Sequence, residues 1–292
     1  MAIKLQTQIP VSVSPLRISH HQHILLVGSC FTEHMGQKLQ DFGFEVMMNP
    51  FGILYNPLSI AECLNRCYND RELTEDELVF HDGLWHSWLH HGCFSNADKE
   101  SCLSACNRAI HEAHSFLQQP HKVIITLGTA NVYCRKGMVV ANCHKIPNTA
   151  FEKRRLELEE IIEALKPYPA LYTVSPIRHW ADGAHGNQLS KATLLLAIEQ
   201  MGGEYFPAYE IMMDELRDYR FYDQDMLHPS SLAIELIWER FQQTYMDTET
   251  VALGQKYHQL HLMEAHRPLY PDSETFRKHQ DKIELLRKDI LS

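Results

Sequence analysis

Four short apolar runs set the rhythm of the chain: HILLV (His23 to Val27), FEVMM (Phe44 to Met48), KVIITLG (Lys122 to Gly128) and ALYTVS (Ala170 to Ser175). Each is too short for a helix and apolar almost throughout, the pattern of strands buried on both faces of a parallel sheet. After the first run, Thr32 to Phe42 carries Met35, Leu39 and Phe42 at helical spacing. Similar periodicity predicts helices over Pro57 to Tyr68, Ser101 to Gln118, Ala150 to Leu165, Gln188 to Met201 and Ser230 to Met246. Strand and helix in alternation predict an α/β fold, a parallel sheet with helices on both faces.

Two stretches interrupt the alternation. Leu78 to Phe94 and Val132 to Ala141 read as hairpins that turn at Asp82-Gly83 and near Lys136-Gly137, insertions near a ligand-binding face. Asp247 to Ser292 reads as one or two amphipathic helices with a proline-containing bend from Arg267 to Asp272. With no clear linker and no internal repeat, the expected organisation is an α/β domain over residues 1–246 and a helical extension, 247–292, packed on it.

Composition narrows the function classes. The 292 residues include 27 basic and 37 acidic side chains, a net charge of −10, which argues against a broad grip on nucleic acid or anionic lipid. No apolar stretch approaches the roughly 18 residues of a membrane span, and the first residues lack the charge and apolar pattern of an export signal. A soluble cytoplasmic protein is expected, with its eight cysteines held as thiols rather than disulfides. The 19 histidines match neither His-Glu-x-x-His nor paired Cys-x-x-Cys spacing, and no glycine-rich phosphate loop appears. No metal and no cofactor are expected.

Ligands of parallel sheets bind beyond the carboxyl ends of the strands. The first such junction reads Gly28-Ser29-Cys30-Phe31-Thr32. Gly28 permits a sharp turn, and Ser29 or Cys30 then projects at the positive end of a helix, where an anionic nucleophile is stabilised. The same residues also suit a helix cap and a buried thiol. The second candidate is Asp225-Met226-Leu227-His228-Pro229, just ahead of a helix. A spacing of three lets Asp225 reach the His228 ring and fix its tautomer, although helix starts collect aspartate for capping as well.

Together these segments carry a resemblance. ILLVGSCFTEHMG looks like the first block of SGNH/GDSL-type esterases, and the Asp-x-x-His before the last core helix looks like their final block. More closely, GSCF with NCHKIPN, TVSPIRHWADGAHGNQLSK and FPAYEIMMDELRDYRFYDQDMLHPS resembles the bacterial GSCFA-domain proteins, an SGNH-like family, from about Ile24 to Trp238. The resemblance implies a three-layer α/β/α sandwich with a flavodoxin-like sheet, and ester chemistry. It puts Cys30 at the nucleophile position with Ser29 as the alternative, and makes Gly52 and either Asn131 or Asn142 the oxyanion donors.

Arg178 and His179, followed by His185, Asn187 and Lys191, form a polar cluster beyond the fourth apolar run. Asn142, His144 and Lys145 form another. Each reads as a site for an anionic or hydroxyl-rich substrate, or as a hydrogen-bonded loop brace. The leading expectation is a hydrolase or acyltransferase that acts on an O-acyl small molecule or glycan through Cys30 (or Ser29), His228 and Asp225. The alternatives are a catalytically inactive scaffold that binds a ligand or partner, and a thiol redox sensor, which requires a second cysteine beside Cys30.

Overall fold

The computed structural model describes residues 7–291 apart from 268 and 271. Its main sheet contains β1 (His23–Gly28), β2 (Val46–Met48), β5 (His121–Leu127), β9 (Leu171–Val174) and β10 (Glu204–Phe206), all parallel, in the order β10-β9-β5-β1-β2. This is an open, doubly wound order in which the winding reverses between β1 and β5, and the crevice at that reversal is where such sheets place ligands. β1 is buried because both of its faces are covered. Leu25 and Val27 join a core with α2 (Pro57–Asn69), α3 (Lys99–Leu117), α4 (Leu158–Leu165) and α5 (Gly183–Met201), while Ile24 and Leu26 join α1 (Cys30–Asp41) and α7 (Ser231–Tyr245) on the other side. The expected layering of helix, sheet and helix is therefore observed.

The two hairpins are present as β3 (Leu78–His81) with β4 (Leu84–Ser87), and β6 (Asn131–Arg135) with β7 (Met138–Val140). Both turns have two consecutive residues with positive φ, Asp82 and Gly83 in one and Lys136 and Gly137 in the other, the geometry that matches strand twist in tight hairpins.

The expected helix from Ala150 to Leu165 is corrected. Its first half is β8 (Glu152–Arg155), which pairs antiparallel with β6, and the helix begins only at Leu158. The side chains of Glu157 and Glu160 cap that start, and Glu160 also holds Arg154, so the charged stretch is pinned by its partners rather than by helical packing. Neither β10 nor the turn of α6 (Ala208–Glu210), which continues as a π-helix over Ile211–Glu215, was expected.

Beyond α7, α8 (Thr248–Ala265) and α9 (Glu274–Leu291) form the C-terminal helices. α8 lies so close to the end of α1 that a Cβ on Gly254 would meet Phe42 at 2.1 Å. Within the predicted bend from Arg267 to Asp272, Pro268 and Pro271 lie outside the described residues.

Candidate active site

The end of β1 is shaped by one close approach. A Cβ on Gly28, whose φ is +151°, would sit 2.2 Å from the Thr126 carbonyl oxygen of β5, so only glycine lets the two strands meet here. The Gly28 N–H donates to Asn49 Oδ1 at 2.9 Å, which ties the turn after β2 to the same point. Ser29 occupies the cap position of α1, and Cys30 opens the helix.

Across the crevice, the loop before α7 supplies an imidazole and a carboxylate. His228 Nε2 lies 3.8 Å from Cys30 Sγ, and His228 Nδ1 lies 2.5 Å from Asp225 Oδ2. Asp225 Oδ1 accepts the N–H groups of Leu227 and His228, each at 2.9 Å, in a tight loop with Met226 at φ +60°. These two backbone donors and the His228 ring hold the Asp225 carboxyl down at about 2. An ionised Asp225 accepts the Nδ1 proton, which leaves Nε2 as the basic nitrogen facing the thiol.

Burial pushes the Cys30 thiol above its ordinary value, with Glu33 adding to the rise; the N–H groups of Cys30 and Phe31 and the charge of Lys191 oppose it. The expectation that the helix terminus favours an anionic nucleophile here is thereby corrected: desolvation outweighs the helix terminus at Cys30. Ser29 is 1% exposed, and its hydroxyl is buried with no hydrogen-bond partner among the described residues. The side chain that faces the imidazole is Cys30.

Lys191 of α5 is buried beside this cluster, at 1% exposure. Its ammonium donates to the carbonyls of Gly128 (2.7 Å) and Ser175 (2.9 Å), and burial pulls its pKa down to about 7 while Cys30 pushes it up. Tyr55 accepts the N–H groups of Gly128 and Thr129 at its carbonyl, each at 2.9 Å, and the nearby Cys30 contributes to the raised pKa of its phenol after burial.

The other sequence-derived candidates divide between the site and its supports. The Gly52 N–H donates to the Asn49 carbonyl at 2.7 Å, so the turn itself uses the donor expected for an oxyanion. The Asn131 amide donates to Asp182 at 2.7 Å, and Asn142 Oδ1 closes a turn onto the His144 N–H at 2.8 Å. Asn131, Asn142, Tyr55 and His179 line one depression of about 430 Å³. His144 stacks on His86 and bonds to the Ser87 carbonyl at 2.8 Å, bracing the first hairpin against the loop after β7; Lys145 is exposed. His179 Nε2 donates to the Gly128 carbonyl at 2.7 Å, its N–H is held by Asn187, and burial pulls its pKa down to about 4. His185 is exposed.

Arg178 and Asp225 share a second, larger cleft of about 790 Å³, whose walls include Trp180, Arg217, Tyr219 and Tyr222. Trp180 also borders the first depression. Tyr55 and these aromatic walls were not assigned to the site from sequence, and Lys191, read there as part of the polar cluster after Arg178, was not placed beside Cys30. A signal for Lys191 existed, since Asn187, Lys191, Leu194 and Ile198 recur at helical spacing on the buried side of α5.

All eight cysteines are free. Cys63 with Cys67 and Cys102 with Cys106 sit one turn apart inside α2 and α3. Among the described residues no cluster of three or more His, Cys, Asp or Glu side chains is arranged to hold a metal ion. None of the described helices is long and apolar enough to cross a membrane.

Fold and site together define a doubly wound α/β protein with a thiol, an imidazole and a carboxylate in contact at its switch point. The family comparison is specific: residues 23–241 match the GSCFA family, and the chain belongs to it. Neither the curated proteins nor the solved structures compared with the chain include a match.

Proposed function

We propose that the chain hydrolyses or transfers acyl groups carried on oxygen, with Cys30 as nucleophile. The observation that carries the reading is the contact of Cys30 Sγ and His228 Nε2 at 3.8 Å, across 198 positions of sequence, with Asp225 behind the ring at 2.5 Å. The strand–turn–helix around Cys30 and the Asp-x-x-His loop resemble the corresponding blocks of SGNH-type esterases, which supports the same reading.

In the first half-reaction His228 Nε2 takes the thiol proton as sulfur attacks the acyl carbon. The carbonyl π bond opens to an oxyanion beside the N-terminal N–H groups of α1. Collapse re-forms the carbonyl, breaks the bond to the alcohol oxygen, and returns the proton from His228 to the departing alcohol. Water or a second alcohol then attacks the S-acyl carbon, again losing its proton to His228, and the thiol leaves with that proton. Asp225 holds the ring and stabilises its charge in both halves. A reducing compartment is the proposed setting, in keeping with eight free thiols.

The test is hydrolysis of p-nitrophenyl acetate by the purified chain, Cys30→Ala and His228→Ala. Both variants should lose at least about 100-fold in rate, the lower end of what general-base assistance supplies. Equal rates in all three proteins would refute the mechanism.

A second reading, a binding scaffold without turnover, is favoured by the raised pKa of the Cys30 thiol and by the use of the Gly52 and Asn131 donors elsewhere. Iodoacetamide separates the two. The catalytic reading requires Cys30 to be alkylated more slowly in His228→Ala than in the parent, whereas a spectator thiol reacts equally in both.

A further inference from the structure

Arg178 is half-buried, and its charge has no carboxylate partner among the described residues. Its Nη2 reaches only the Tyr222 hydroxyl, at 3.5 Å, its guanidinium lies 5.9 Å from the centre of that ring, and its Nε is buried with no hydrogen-bond partner. Three other shielded arginines are matched, Arg66 with Glu62 and Glu77, Arg154 with Glu160, and Arg240 with Glu215, whereas Arg135, which also has a buried nitrogen without a hydrogen-bond partner, lies over the Trp88 ring away from this cleft. A guanidinium withdrawn from water without an anion loses solvation that nothing in the protein replaces.

The surroundings make this a receptor for charge. In the 790 Å³ cleft that Arg178 shares with Asp225, the two carboxylates are already engaged, Asp218 by Arg220 at 3.1 Å and Asp225 by His228 and two N–H groups. Arg217, on the same wall, is exposed. Arg178 is also linked to the reactive groups from two sides. Tyr222, beneath it, pairs with Pro229 next to His228, and His179, its neighbour in sequence, binds the carbonyl of Gly128 that Lys191 also holds.

We propose that the substrate is an anionic ester, one that bears a carboxylate or phosphate group which Arg178 receives in a forked contact inside this cleft. Trp180, Tyr219 and Tyr222 then cover the part of the substrate between the anion and the reacting carbonyl. The proposal rests on the reading of Cys30, His228 and Asp225 as the reactive centre, and its test separates the two.

The probes are succinate and its neutral counterpart succinamide, measured as protection of Cys30 from iodoacetamide in the full chain. Succinate should slow alkylation at millimolar concentration and succinamide should not. In Arg178→Gln the protection should fall by roughly fivefold or more, and Arg178→Lys should retain part of it. Inorganic phosphate replaces succinate in a parallel arm and identifies which anion fits better. Equal protection by the charged and neutral probes, or none by any of the three, overturns the proposal on the unmodified protein alone, whatever the variants do. Ester turnover without charge discrimination removes the anion site and leaves the hydrolase; charge discrimination without turnover removes the hydrolase and leaves the anion site.

Discussion

Lys191 Nζ and His179 Nε2 converge on one acceptor, the carbonyl oxygen of Gly128, each at 2.7 Å. With its second bond to Ser175, Lys191 fastens the chain just past β5 to the chain just past β9, and does so from the far end of a buried side chain. The carboxyl edge of the sheet is thus held by a lysine on one side of Cys30 and faced by a histidine on the other.

A buried lysine with its pKa near 7 makes stability depend on pH with a definite sign. An unfolded lysine titrates near 10.4, so between about pH 7 and 10 the unfolded chain binds a proton that the folded chain does not. Stability from this group therefore rises with pH in that window, by up to about 1.4 kcal/mol per pH unit. Urea unfolding of the parent and Lys191→Met, compared from about pH 7.5 to 9, should show the parent gaining on the variant. A constant difference would mean that Lys191 keeps an ordinary pKa.

Asp225→Asn separates orientation from bulk. An asparagine can still accept the N–H groups of Leu227 and His228, so the loop should survive and melting should barely change. Its amide, however, donates to His228 Nδ1 and drives the proton to Nε2, the nitrogen that must accept from the thiol. Acyl turnover should fall by about 10³–10⁴, the scale of a wrong tautomer in serine-type triads. A loss below tenfold would show that Asp225 does no more than close the loop.

The raised Cys30 pKa predicts the shape of an alkylation profile. A thiol whose folded pKa lies above the usual value is mostly protonated near neutrality, so its second-order rate with iodoacetamide should keep climbing beyond about pH 9. A plateau already reached below about pH 7 would reveal a preformed thiolate–imidazolium pair instead.

Gly28→Ala should damage the site through the backbone. The added carbon would sit 2.2 Å from the Thr126 carbonyl, at a φ of +151° that alanine rarely adopts. The two effects together should cost roughly 2–4 kcal/mol, visible as a lower urea midpoint. An unchanged midpoint would mean that β1 and β5 separate here without cost.

Much of this arrangement was legible in the residues. HILLV ending in glycine and KVIITLG are apolar on both faces because both faces are covered, and that pattern alone placed Cys30 at a strand end. The three-residue spacing of Asp225 and His228 announced their contact because so short a loop leaves the carboxylate few other partners. What sequence did not show was decided by partners distant in the chain. β10 is three residues long, too short to carry a period, and β8 is a strand because β6 lies beside it. Gly52 and Asn131 have the chemistry of oxyanion donors, but Asn49 and Asp182 engage them first. Lys191 read as part of a polar cluster near a loop; the helical spacing of Asn187, Lys191, Leu194 and Ile198 marks the face that turns inward, but not the two carbonyls that receive its ammonium.

The central claim is that Cys30 takes up an acyl group with His228 as its base. The direct measurement is mass spectrometry of the protein quenched in acid within seconds of mixing with p-nitrophenyl acetate, followed by peptide mapping. One acetyl group on the peptide that contains Cys30, absent in Cys30→Ala and formed far more slowly in His228→Ala, is the predicted result. Acetyl found on other residues alone, or formed on Cys30 at the same rate without His228, would contradict it.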